Sequence, residues 1–188
     1  MLVILGVLAG TGVAGAWAYW TDTATVRSGP IRAGSMDLRV NGEAVGTGTS
    51  VTVAAIATND LTPGEAQAFA LTISNVGTPD LKWTATATRA ATPAWGYSGD
   101  PLLVTLHRGA PVDDASYPRV DSCTHPAMGS VVAVTAGSSL LTAGPQLLTA
   151  GQSEVVCVLI AMDDTAGNAN QGASGAVALT FDAVQVTP

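Results

Sequence analysis

Over residues 61–88 apolar and polar side chains alternate with a period of two, and turn-forming residues bracket each run. Leu81, Trp83, Ala85 and Ala87 fall on one side of a segment whose other side is Thr84, Thr86 and Thr88. Just before it, Phe69, Leu71 and Ile73 share a face. That run lies between Asn59-Asp60-Leu61-Thr62-Pro63-Gly64-Glu65 and Asn75-Val76-Gly77-Thr78-Pro79. An extended chain sends successive side chains to opposite faces, so this pattern buries one face and wets the other. The expectation is two consecutive strands of a sandwich joined by a short loop.

Further strands are expected over residues 35–40, ending at the tight-turn dipeptide Asn41-Gly42, and over 51–57, 102–107, 131–135, 153–161 and 175–186. Val155, Cys157 and Leu159 share one face, and Val177, Leu179, Phe181 and Ala183 share another. Gly144-Pro145, Ala150-Gly151 and residues 167–172 supply turns. The region 107–149 has loop composition, with room for a short helix near residues 113–117. Many short strands, frequent turns and few helical patterns indicate an all-β chain, a single antiparallel β-sandwich of jelly-roll type. No linker divides it and no internal repeat is visible.

The N-terminus is of a different kind. Residues 2–18 carry no Asp, Glu, Lys or Arg, include Gly6, Gly10, Gly12 and Gly15, and give way at once to Tyr19-Trp20-Thr21-Asp22. An apolar helical core followed by small residues is the form of a signal peptide. Ala16 and Ala18 place cleavage after Ala18, with a site after Tyr19 the near alternative. The competing reading is a retained membrane helix, for which the run is marginal in length and weakened by its glycines. No Lys or Arg precedes the run, a departure from the basic head of such leaders that leaves the true start open. Residues 1–18 are therefore read as a leader and residues 19–188 as one exported β-sandwich domain.

Charge narrows the partners. Charged residues make up 11% of the chain, the net charge is −7, and Lys82 is the only lysine. So few scattered cations disfavour binding to a phosphate backbone or to anionic lipid, so no nucleic-acid partner is expected, and membrane contact only through the leader. In an exported protein the two cysteines, Cys123 and Cys157, are expected to pair, tying a Pro-flanked loop to a core strand. Two buried free thiols are the other reading.

At this point a family resemblance emerges. The leader end, residues 12–22, with its aromatic-Thr-Asp step, resembles the signal peptides cut by the SipW type of signal peptidase. Ala33-Gly34-Ser35-Met36-Asp37-Leu38 resembles the start of TasA and camelysin-like proteins, where a short strand precedes an AGxxDL-like stretch. Leu61-Thr62-Pro63-Gly64-Glu65, followed by Leu71-Thr72-Ile73-Ser74-Asn75-Val76-Gly77, is similar to the PGE, strand, SNxG passage of the same family. The resemblance implies a secreted jelly-roll protein of extracellular biofilm-matrix fibres, processed by a SipW-type peptidase. It also implies that the arm freed by cleavage, residues 19–31, completes the next subunit as a donated strand. The matching residues are Trp20, Thr21, Asp22, Thr23, Ala24, Thr25 and Val26. The alternative is that residues 21–26 fold back as the first strand of their own domain.

Motifs of chemistry are sparse. Camelysin-like proteins have been classed as metallopeptidases, but this chain has no HExxH. His107 and His125 could form a zinc site only with a carboxylate such as Asp113, Asp114 or Asp121. Two exposed loop histidines is the favoured reading, and no catalytic residue, metal or cofactor is expected. Asp163, Asp164 and Asn168 concentrate oxygen ligands and are a weak calcium candidate, against a plain Asx-rich turn. Trp83 lies in phase with Leu81 and is expected in the core. Trp95, in a loop with Tyr97, is a candidate glycan contact. The function expected is a non-enzymatic structural protein that forms or decorates extracellular fibres. A monomeric cell-wall or carbohydrate-binding module is the alternative, and a metal-dependent peptidase is the least favoured.

Overall fold

The computed structural model describes residues 35–44, 50–58, 61–134, 138–142 and 144–186. The leader, the cleavage positions Ala16, Ala18 and Tyr19, and the arm 19–31 lie outside the described residues. In chain order the strands are β1 (Leu38–Val40), β2 (Glu43–Ala44), β3 (Ser50–Thr58), β4 (Ala66–Asn75), β5 (Leu81–Arg89) and β6 (Leu102–Arg108). There follow β7 (Pro111–Val112), β8 (Ser122–Cys123), β9 (Val132–Ala133), β10 (Ser138–Ser139), β11 (Gln146–Leu148), β12 (Ser153–Met162) and β13 (Gly175–Gln185).

One sheet has six strands in the order β2-β1-β4-β12-β6-β9. The other runs β10-β5-β13-β3, with β11 also paired to β5, and β7 and β8 make a separate ribbon. All these strand pairs are antiparallel. The late strand β12 lies between β4 and β6, and β13 lies between β3 and β5. This insertion of the C-terminal pair into both sheets is the nesting of a jelly roll. The β1–β2 hairpin extends the β4 edge through Asn41 (φ 52°) and Gly42 (φ 81°). Positive φ at both turn positions fits the right-handed twist of the flanking strands.

The core is built from the inward residues of both sheets. Ile73, Leu102, Val104, Leu106, Val156, Val158 and Ile160 come from one; Leu81, Trp83, Ala85, Leu179 and Phe181 come from the other; all are fully buried. Trp83 and Phe181 pack with ring centroids 5.8 Å apart. The indole N–H of Trp83 donates across the sandwich to Glu154 Oε1 at 2.7 Å, so a large side chain is buried without stranding its donor.

On β12, Val155, Cys157 and Leu159 do share a face, the outer one, while Val156, Val158, Ile160 and Met162 point inward. Two expectations change. Residues 113–117 are not helical, because Asp114 accepts the N–H and hydroxyl of Ser116 at 2.9 and 2.6 Å. Such local side-chain bonds offer the backbone an alternative to a helix. The region after residue 107, expected as loop, contributes the broken strand β10–β11; Leu148 of β11 is buried, as are Leu140 and Leu141 just after β10.

Candidate functional site

Three features of the described chain can carry function: a pinned flap, a long sheet edge, and a cavity at one end of the sandwich. The flap is residues 109–128. Its ribbon, β7 with β8, lies on the outer face of β4 and β12. Cys123 and Cys157 are joined in a disulfide, with Cα atoms 5.9 Å apart. Cys157 is fully buried in the middle of its sheet, so the bridge fixes the flap to a central strand.

Two buried acids reinforce this attachment. Asp121 accepts the backbone N–H groups of Ala68 (3.1 Å) and Asp114 (2.9 Å). Glu65 accepts those of Thr62 (2.8 Å) and Arg119 (3.0 Å). Those two backbone donors, Thr62 first, hold the Glu65 carboxyl below the usual carboxylate range. Glu65 closes the Pro63-Gly64 turn and clamps the flap with one side chain.

The Ser74-Asn75-Val76-Gly77 motif is also a joint. Asn75 is fully buried and donates to the carbonyls of Pro79 (2.8 Å) and Leu148 (3.1 Å). Its Oδ1 accepts the Gly77 N–H at 3.0 Å. Val76 and Thr78 donate to the carbonyls of Asp37 and Ser35, which docks the segment entering β1. A Cβ on Gly77 would stand 2.8 Å from Asp37 N, so glycine permits this backbone approach.

His107 and His125 have no third ligand-type side chain grouped with them among the described residues. His107 lies on strand β6 and is half-buried rather than in an exposed loop, a correction to the sequence reading, while His125 is exposed in the flap. His107 Nδ1 donates to the His125 carbonyl at 2.9 Å, and its Nε2 is buried without a partner. The His125 ring meets Thr124 Oγ1 at 2.9 Å. The carboxylate of Asp121 is committed to the backbone, as above, and that of Asp114 to Ser116, whose hydroxyl and N–H lower its pKa. Among the described residues no three His, Cys, Asp or Glu side chains cluster.

The remaining candidates lie at one end of the sandwich. Asp163 Oδ1 accepts the Thr165 hydroxyl (2.6 Å) and N–H (2.8 Å), which hold its pKa low in a closed turn. Asp164 and Asn168 are exposed in the same loop. In the Trp95–Tyr97 pair, Trp95 is half-buried and Tyr97 is buried. Tyr97 is 6% exposed, its ring meets Trp95 edge-on at 5.2 Å, and the Arg89 guanidinium lies 4.7 Å from the Trp95 ring centroid. Arg89 is itself held by an ion pair with Asp100.

Beside this loop a cavity of about 400 Å³ opens between residues 61–63 and the β12–β13 connection. Leu61, Pro63 and Met162 supply apolar wall, and Asn168, Asn170 and Gln171 supply amides. Its size is in the range of small-ligand sites, roughly 300–1,000 Å³. Residues 167–172, expected as turn, form one wall of the cavity. The signal available was three amide side chains within four positions, beside an apolar turn brought close only by the fold.

No family model and no curated protein matches the chain.

Proposed function

We propose that this chain is a secreted, non-enzymatic structural protein that forms or decorates extracellular fibres by strand addition. The observation that carries the reading is the edge strand β3. It is nine residues long and, among the described residues, pairs only with β13. The other sheet ends are two- or three-residue strands, namely β2, β9, β10 and β11. A long row of backbone donors and acceptors that no described strand pairs is a template for an incoming strand, and the short ends offer too few rungs. The donor in this reading is residues 20–26 of a second copy, Thr-rich and freed once a SipW-type peptidase removes the leader.

Two further facts are compatible with an extracellular site. The disulfide suits an oxidising compartment, and among the described residues no helix is long and apolar enough to cross a membrane. The test is electron microscopy of the mature form, residues 19–188, beside the same protein lacking residues 19–30. The mature form should give concentration-dependent filaments and the truncated form none. A peptide of residues 20–30 should bind the truncated monomer. Filaments from the truncated protein, or a mature protein that stays monomeric at every concentration, would refute the proposal.

A further inference from the structure

We infer that the end cavity binds a neutral saccharide, with the rings against Leu61, Pro63 and Met162 and the hydroxyls on the amides of Asn168, Asn170 and Gln171. Among the described residues no Asp, Glu, Lys, Arg or His lines it. A phosphate, carboxylate or ammonium ligand would lose hydration there with no countercharge to compensate, which selects an uncharged ligand. A wholly apolar ligand is disfavoured in turn, since it would leave the wall amides dry and unbonded.

A sugar answers both constraints. An amide side chain presents a donor and an acceptor side by side, as a pair of neighbouring hydroxyls does, and the C–H face of a pyranose is apolar. Asn170 shows how the wall is prepared. Its Oδ1 is committed to the Ser98 N–H at 2.7 Å, so the group it can offer a ligand is the Nδ2 donor. Its backbone closes the loop through Gly167 and Ala173, at 3.0 and 3.1 Å.

The opposite wall is fixed as well. Gly64 N–H donates to the Met162 carbonyl at 3.0 Å, Met162 N–H donates to Glu65 at 2.9 Å, and the Glu65 carboxylate holds Thr62. A cavity whose walls are already bonded needs little ordering on binding, which favours affinity for a small ligand. This assignment does not depend on fibre formation. It places a saccharide site away from Trp95 and Tyr97, whose rings are packed as described.

The test uses the mature protein, residues 19–188, at a concentration where gel filtration shows it monomeric. It is titrated with an N-acetylglucosamine trimer and with maltotriose, followed by amide NMR. The expected result is a Kd of about 1 mM or tighter for at least one of them, with shifts confined to residues 61–63 and 162–172. Asn168→Ala and Gln171→Ala, both on the exposed loop, should each weaken binding by roughly tenfold with Tm unchanged. No saturable shift with either sugar, shifts centred on residues 95–97, or unaltered affinity in both variants would overturn the assignment.

Discussion

Asn75 offers the sharpest test of how the fold is held, because each of its side-chain polar atoms bonds the backbone in a fully buried position. Replacing it by Ala leaves two carbonyls and one N–H without their partner. At about 1–3 kcal/mol for each stranded group, less whatever water recovers, the cost should be roughly 3–5 kcal/mol. Asn75→Asp is more telling. The Gly77 N–H keeps its acceptor, but a carboxylate oxygen now faces the carbonyls of Pro79 and Leu148 where an N–H₂ group stood 2.8 and 3.1 Å away. Burial against acceptors raises the folded-state pKa of this new acid above its unfolded value of about 3.9. The folded state therefore binds the proton more tightly. Relative to wild type, the Asp variant is most stable below pH of about 4 and loses up to about 1.4 kcal/mol per pH unit until the folded pKa is passed. Urea unfolding followed by tryptophan fluorescence, from acid to neutral pH, reads both effects. An Asp variant within about 1 kcal/mol of wild type at neutral pH, or with the same pH profile as the Ala variant, would show that Asn75 is not the joint described.

Two other outcomes follow from the flap. Cys123 and Cys157 are separated by 34 positions, so Cys123→Ser with Cys157→Ser should lower unfolding stability by roughly 4 kcal/mol in the chain-entropy account. Limited proteolysis should then cut near the exposed Tyr117 sooner than in the oxidised protein; equal stability and equal cutting would contradict the pinning role. Glu65→Gln should flatten the acid limb of the stability curve. The lowered pKa of Glu65 contributes stability that is present above the unfolded value of about 4.3 and lost as pH falls through the folded value. An acid limb identical to wild type would exclude Glu65 as the clamp between Thr62 and Arg119.

The strands that alternate cleanly were legible, and β5 is the clearest, with fully buried Leu81, Trp83, Ala85 and Ala87 opposite three threonines. β12 was legible as a strand but not in orientation. Residues 155–162 are apolar on both faces, because the core covers one side and the flap covers part of the other. β10 and β11 were hidden because Gly144-Pro145 interrupts the path between them, leaving pieces too short for any periodicity. Asn75 and Glu65 stood inside legible turn motifs, yet their roles were invisible. Their partners are backbone groups as distant in sequence as Leu148 and Arg119. The disulfide could be anticipated from the count of cysteines, but not that it would seat a ribbon on the back of a sheet. The end cavity needed the fold itself, since Leu61 and Met162 meet only after β4 and β12 pair.

The bridge has one more consequence. Both cysteines flank the stretch that holds β9, β10 and β11, so a single backbone cut anywhere between residues 124 and 156 yields two pieces that stay covalently joined. With the neighbouring rungs still zipped to β5 and β6, such a nicked molecule keeps its shape until a reductant arrives. Damage by a wandering protease in this Gly- and Ser-bearing stretch is thereby decoupled from loss of the particle.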